Sequence, residues 1–263
     1  MIFSFARALI STAFVSSMFL GGCGQSPEDS SAKIVGGSVA TQSIYQNHFK
    51  SVVSIQLNKG HFCGGTLIGK NEVLTAAHCF ESYSAETIAN KVEVVIGTPI
   101  MVTRAGAEVF KISKYRIHPK YKRGLYQYDV AILTLNGNSK VTPVAYNTQS
   151  DFPKVGARTY VAGWGYTKEG GFSSATLKYA PLNVVSNSDC ANVYGSQIYS
   201  GNLCAYAEAT DACQSDSGGP LFSYDGKSMT LVGIVSYGYG CARRGVPGVY
   251  TRVSEFASAK AWE

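Results

Sequence analysis

Three separated segments carry residue types that together make nucleophilic chemistry possible. Leu74-Thr75-Ala76-Ala77-His78-Cys79 runs from a strand end into a small-residue turn and delivers an imidazole. Tyr128-Asp129-Val130-Ala131-Ile132-Leu133 sets a lone carboxylate at the start of an apolar strand. Asp211-Ala212-Cys213-Gln214-Ser215-Asp216-Ser217-Gly218-Gly219-Pro220 places a serine in a glycine-rich turn. A serine hydroxyl is a weak nucleophile at neutral pH, so a base must take its proton during attack. Imidazole titrates near working pH and returns that proton to a leaving amine. A carboxylate behind the imidazole fixes its tautomer and stabilises the imidazolium. Taken singly each residue is ordinary: a structural His, a turn Asp, a loop Ser. Their joint occurrence supplies the nucleophile, base and orienting acid that acyl transfer needs. Clustered Cys raises zinc as the rival chemistry, but no C-x₂-C spacing occurs in the chain.

The elements that must hold these residues are short. Val52–Leu57, Val92–Ile96, Val130–Leu135, Thr159–Ala162, Leu231–Val235 and Val249–Val253 have β character, and Gly, Pro, Asn and Ser separate them. With 28 Gly and 17 Tyr in 263 residues, 45% of them hydrophobic, the chain suits an all-β fold with one large or two small cores. Antiparallel barrels or sandwiches fit this pattern. Ser254 to Trp262 reads as a short C-terminal helix, with Ser and Glu at its start. No repeat or low-complexity tract interrupts the chain.

Residues 1–22 read as an export signal. Arg7 precedes an apolar or small-residue stretch from Ala8 to Leu20, too short for a permanent span. Leu20-Gly21-Gly22-Cys23 resembles the lipobox of bacterial lipoproteins, in which the Cys is lipidated and becomes the first mature residue. Seven Cys leave one odd, and a lipidated Cys23 removes it from the count. The resemblance implies an envelope lipoprotein held by its acyl chains; a plain secreted protein is the other outcome. Residues 23–33 hold the Cys, a polar linker over 24–33 and the segment leading into the domain, which is expected over 34–263.

From residue 34 to about 260 the chain resembles the chymotrypsin/trypsin family of serine proteases, on the three motifs quoted above. The resemblance implies two antiparallel β-barrels side by side, about 34–140 and 141–263, with a short C-terminal helix. It implies His78, Asp129 and Ser217 as the catalytic triad, and the backbone N–H groups of Ser215 and Ser217 as the oxyanion hole. Lys33-Ile34-Val35-Gly36-Gly37 resembles the family's activation site. Cleavage after Lys33 would free the amine of Ile34 to pair with Asp216, and His61 stands where the uncut family members often hold that Asp. By the same resemblance Cys63 pairs with Cys79, Cys190 with Cys204, and Cys213 with Cys241, which needs an oxidising compartment. Asp211 matches the floor of the specificity pocket in the trypsin branch, and Gly238 and Gly248 match its walls. A carboxylate there implies cleavage after Arg or Lys. Ser236-Tyr237-Gly238 matches the edge that pairs with substrate backbone. Ser236 is expected to bond Asp129, and Tyr237 replaces the usual Trp.

Two departures matter. The family usually carries Gly where Ser215 stands, and a β-carbon penalises dihedrals that Gly tolerates. A peptide tilted by Ser215 would weaken the oxyanion hole; one lost donor costs about 10²–10³ in rate. The alternative function is therefore a catalytically weak or silent binding protein of the same fold. Between Glu93 and Glu108 there is no acidic residue, so the calcium loop of animal trypsins is missing and no metal or other cofactor is expected. Six cations between Lys111 and Arg123 read as a solvated loop, with an anion-binding surface as the rival. Expected partners are protein substrates with Arg or Lys at the cleavage site, a protein inhibitor and a membrane through Cys23. Nucleic acid is not expected, and the enzyme is expected to be monomeric.

Overall fold

The computed structural model describes residues 34–257 and Trp262; the leader, Cys23, the linker and Lys33 lie outside the described residues. A two-residue strand, β1 (Ser38–Val39), comes first. The first barrel follows. Its strands are β2 (Val52–Leu57), β3 (Gly60–Gly69), β4 (Glu72–Thr75), β5 (Val92–Ile96), β6 (Glu108–Ile117) and β7 (Ala131–Leu135). They close in the order β2-β3-β4-β7-β6-β5, every pair antiparallel. A short strand β8 (Ala145–Tyr146) then leads to the second barrel. That barrel comprises β9 (Arg158–Gly163), β10 (Lys178–Val185), β11 (Asn202–Tyr206), β12 (Pro220–Tyr224), β13 (Met229–Tyr237) and β14 (Gly248–Arg252). The order β10-β11-β14-β13-β12-β9 closes through the β10–β9 pairing, again antiparallel throughout. Two antiparallel β-barrels are thus the fold, as the sequence implied.

The alternation that makes a strand amphipathic is visible in β7, where Ala131, Leu133 and Leu135 are buried and Ile132 and Thr134 only half-buried. Ile55, Leu67, Val94 and Leu133 fill the first barrel; Val161, Leu182, Leu203, Leu221 and Val232 fill the second. Each such side chain contributes about 1.5–3 kcal/mol by leaving water. Two of the helices on the barrels begin at serine caps. Ala85–Lys91 starts at Ser84, whose hydroxyl accepts from Thr87 N, and Asn187–Tyr194 starts at Ser186, which accepts from Asp189 N. The three disulfides pair as expected: Cys63–Cys79, Cys190–Cys204 and Cys213–Cys241.

The expected division at about residue 140 fails at the N-terminus. Ile34 is fully buried in the second core, Val35 bridges Asp211, and β1 pairs with β10. At the other end, Phe256 and Trp262 join the first core. The physical reason is that each end segment is too short to form a barrel strand of its own, so it buries its apolar side chains where a neighbouring barrel leaves room. The expected C-terminal helix is a 3₁₀ turn over Val253–Phe256, with residues 258–261 outside the described residues. Trp262 donates Nε1–H to Phe256 O at 3.0 Å, and the Arg116 guanidinium lies 4.7 Å from its ring centre.

Three of the six cations of the basic stretch are engaged by neighbouring groups. Lys111 pairs with Glu93, Arg116 covers Trp262, and Arg123 reaches Glu81. Glu93 also pairs with Arg104, so this acid is engaged by two cations. No helix among the described residues is long and apolar enough to cross a membrane.

Candidate active site

The three predicted residues come from two barrels. His78 sits in a 3₁₀ turn, Ala77–Cys79, just after β4, and Cys63–Cys79 ties that turn to β3. Asp129 lies just before β7 with its side chain wholly buried. Its two oxygens are divided between partners. Oδ1 accepts His78 N–H at 2.9 Å, and Oδ2 accepts from His78 Nδ1 at 2.7 Å and from Ser236 Oγ at 2.5 Å. Thr251 Oγ1 holds the Asp129 carbonyl at 2.8 Å. With Nδ1–H committed to the carboxylate, Nε2 is left as the free, basic nitrogen. Burial by itself would lower the imidazole pKa; the charge and hydrogen bond of Asp129, with Glu81 further off, outweigh it and the net shift is upward.

Ser217 belongs to the second barrel. Its carbonyl accepts Gly64 N–H from β3 at 2.8 Å, a bond that crosses between the barrels beside the turn. Ser217 and His78 line one cavity of about 220 Å³ with Asp211, Ser236, Gly238 and Gly248. Every predicted pocket residue is therefore brought to one place. Gly218 follows Ser217 with φ +78°, and a β-carbon there would overlap Thr75 Oγ1 and lie 2.6 Å from Gly64 O. Only glycine lets the turn approach β3 and β4 this closely.

Ser215 keeps a left-handed φ of +69°, the conformation a glycine would take, instead of relaxing away from it. The cost for a residue with a β-carbon is about 1–2 kcal/mol. Asp216 N–H donates to Cys213 O, whereas the N–H groups of Ser215 and Ser217 have no partner among the described residues. Two unsatisfied donors one residue apart, beside a serine hydroxyl, suit an anionic oxygen.

Asp211 sits at the pocket floor, only 7% exposed, with one oxygen accepting Ala242 N–H at 3.2 Å and no cation on it among the described residues. Burial pushes its carboxyl up to about 6. A β-carbon on Gly248 would come within 3.0 Å of that carboxylate, so the bare glycine keeps the floor reachable. Beside it the hydroxyl of Tyr250, fully buried, has no hydrogen-bond partner among the described residues. Cys213–Cys241 joins the nucleophile turn to the opposite wall. Ser236 lies at a register shift between Val235 and Tyr237 of β13, which turns its hydroxyl to Asp129.

Asp216 is fully buried, holds Gly165 N–H at 2.8 Å and Cys213 N–H at 2.9 Å, and is pushed by burial up to about 7. His61 does not hold it, contrary to expectation. Its Nε2–H donates instead to Ser215 O at 2.9 Å, and its Nδ1 accepts from Ser54 Oγ at 2.8 Å. The backbone of Asp211 is tied to the start of the domain, through Asp211 N–H to Val35 O at 3.2 Å.

Sequence reasoning missed several contributors. Tyr126, with φ +52°, stands edge-on to the His78 ring at 5.6 Å and stacks on Tyr237 at 5.5 Å. Tyr194 meets Tyr237 and Tyr239, and Arg243 pairs with Glu169 near the pocket rim. The high tyrosine content was the one available signal. Cys63, His78 and Cys79 are close enough together to suggest a metal, but two of the three donors are spent in a disulfide.

Two barrels with a Ser, His and Asp meeting over an acid-floored pocket define the serine-protease class. The trypsin family model matches residues 35–260. Trypsin delta of Drosophila melanogaster is 39% identical over 232 residues, covering 86% of each chain. Trypsin alpha-4 of Lucilia cuprina is 36% identical over 237 residues, covering 88% of this chain and 86% of its own. Trypsin-1 of the crayfish Astacus astacus is 37% identical over 202 residues, covering 74% and 84%. The chain belongs to the trypsin family and is a trypsin-like serine protease.

Proposed function

We propose that this chain is an endopeptidase that cuts after Arg or Lys and is made as an inactive precursor. Ser217 attacks the scissile carbonyl, His78 Nε2 takes its proton and passes it to the leaving amine, and Asp129 steadies the imidazolium. The N–H groups of Ser215 and Ser217 receive the oxyanion. The observation that carries the specificity is the buried Asp211, with no cation on it among the described residues, beside the Tyr250 hydroxyl that likewise lacks a partner there. Both offer lone pairs, and Arg and Lys head groups are donors without acceptors. An uncharged guest would leave the carboxylate unpaired.

Cleavage after Lys33 is the activating step in this reading. Support comes from Asp216, whose burial makes its ionisation costly until a cation such as the freed Ile34 amine arrives. Export in a form whose leader ends at Gly22, with lipid on Cys23, is proposed from the LGGC tetrad and the odd cysteine. The insect and crayfish relatives lend that point no support. A silent binding protein is the second reading, resting on the strain at Ser215.

The test is to cut the chain after Lys33 and follow hydrolysis of an Arg ester beside a matched Leu ester. Arg preference and a loss of about 10⁶ in kcat for Ser217→Ala are expected. Turnover that survives Ser217→Ala would end the assignment, and none in the parent would favour the binder. Metabolic labelling with a radioactive fatty acid, against Cys23→Ala, tests the anchor; equal label in both removes it.

A further inference from the structure

Ser215 is bracketed by hydrogen bonds at both of its peptides. Tyr166 N–H donates to Gln214 O at 2.7 Å, fixing the peptide whose N–H belongs to Ser215. His61 Nε2–H donates to Ser215 O at 2.9 Å, fixing the next peptide. Behind His61 runs an unbroken relay. Ser54 Oγ donates to His61 Nδ1, Gln56 Nε2 donates to Ser54 Oγ at 3.1 Å, and Arg104 donates to Gln56 Oε1 while pairing with Glu93 at 2.9 Å. Ser54 and Gln56 are essentially unexposed, so each polar atom depends on its neighbour in the relay.

From this we infer that Arg104, Gln56, Ser54 and His61 form a positioning relay that holds strained Ser215 in its left-handed conformation. The inference rests on the oxyanion role proposed for Ser215. A glycine needs no such help, because φ +69° costs it nothing. A serine there disfavours the conformation roughly five- to thirty-fold, so the competing state withdraws the N–H unless something holds the peptide. His61 suits the task because its ring is held from both nitrogens. Burial also pushes its pKa down to about 4, which keeps it neutral, with one donor and one acceptor, through the neutral range. The Trp164 ring, 5.8 Å away and edge-on, walls its other side. The surface loop bearing Arg104 is thereby coupled to the catalytic turn. None of the four relay residues lines the cavity shared by Ser217 and His78.

The experiment is a set of double-mutant cycles on the Lys33-cut enzyme. His61→Ala, His61→Gln and Arg104→Met are each made with Ser215 and with Ser215→Gly. His61→Ala is expected to lower kcat about ten- to a hundredfold with KM nearly unchanged, since it weakens only the oxyanion donor. Gln, which keeps an N–H donor, should restore most of that loss, and Arg104→Met should cost a few-fold. In the Ser215→Gly background the His61→Ala loss should shrink at least fivefold and the smaller Arg104→Met loss should all but vanish. Equal losses in both backgrounds, or losses confined to KM, would overturn the relay. The ¹H–¹⁵N resonance of Ser215 in serine-labelled chain reads the same point without turnover. Exchange broadening or a second peak in His61→Ala is expected, and an unchanged resonance refutes it. If the parent turns nothing over, the endopeptidase reading falls while this resonance still decides the relay.

Discussion

Replacing Asp211 by Asn separates what the pocket floor costs from what it recognises. The carboxyl is buried, is held by the backbone N–H groups of Ala242 and Ala212, and is pushed by burial up to about 6 from an ordinary 3.8. A shift of about two units makes its ionised form roughly 3 kcal/mol less stable in the folded chain than in the unfolded one. Because the folded pKa is the higher, this penalty is absent below pH 3.8, grows as pH rises and is complete above about 6. Asn keeps the acceptor for Ala242 N–H and carries no charge. Parent and Asp211→Asn should therefore unfold at similar temperatures at pH 4. At pH 8 the variant should be higher by about 6–12 °C, at about 2–4 °C per kcal/mol for a domain of this size. Function moves the opposite way. Removing one partner of a buried ion pair costs about 3–5 kcal/mol, so kcat/KM for an Arg ester should fall about 10²- to 10⁴-fold, while the Leu ester holds or gains. Differential scanning calorimetry at the two pH values, beside the two esters, checks both halves. Equal unfolding temperatures at pH 8, or equal losses on both esters, would refute the reasoning.

Other consequences are as direct. With an uncharged substrate, kcat/KM should fall as pH drops through the His78 pKa, and that limb should lie above the ordinary 6.5. Asp129→Asn should move the limb down and lower kcat about 10⁴-fold; a limb at or below 6.5 in the parent contradicts the arrangement. The uncut chain should lose stability as pH rises from 3.8 through about 7, because ionising Asp216 then costs about 4 kcal/mol. Cutting after Lys33 should recover much of this at pH 8 in urea titrations, and identical midpoints would argue against an ammonium reaching Asp216. Gly218→Ala should destabilise by more than about 4 kcal/mol, through both its φ of +78° and the contact with Gly64 O; a near-parent urea midpoint would show the turn has slack.

The chemistry was legible in the sequence because it is written in residue types that have few substitutes. An imidazole, a carboxylate and a hydroxyl in turn-forming surroundings announce themselves locally, whereas the pairing of six cysteines and the place of Asp211 came through the resemblance to the family. What stayed hidden depends on side chains remote in sequence. Nothing in Ser38-Val39 reveals that it belongs to the second barrel, since two residues hold no periodicity. Tyr126 gives no hint of its place against His78, because its positive φ is imposed by the surrounding turn. The link from Arg104 to Gln56 spans 48 residues and leaves no local trace. Ser215 lies between these cases: its type marked the position as strained, and only the coordinates showed what restrains it.

The bridge between Val35 and Asp211 joins the domain's leading edge to the residue that would greet a substrate's cation. A ligand seated on Asp211 and an N-terminal segment seated beside it therefore draw on the same few atoms. Thermodynamic reciprocity then requires that whatever factor N-terminal docking adds to pocket affinity, occupancy of the pocket returns to docking. A cation held on Asp211 would thus tighten the hold on Val35 by whatever factor that contact lends the pocket.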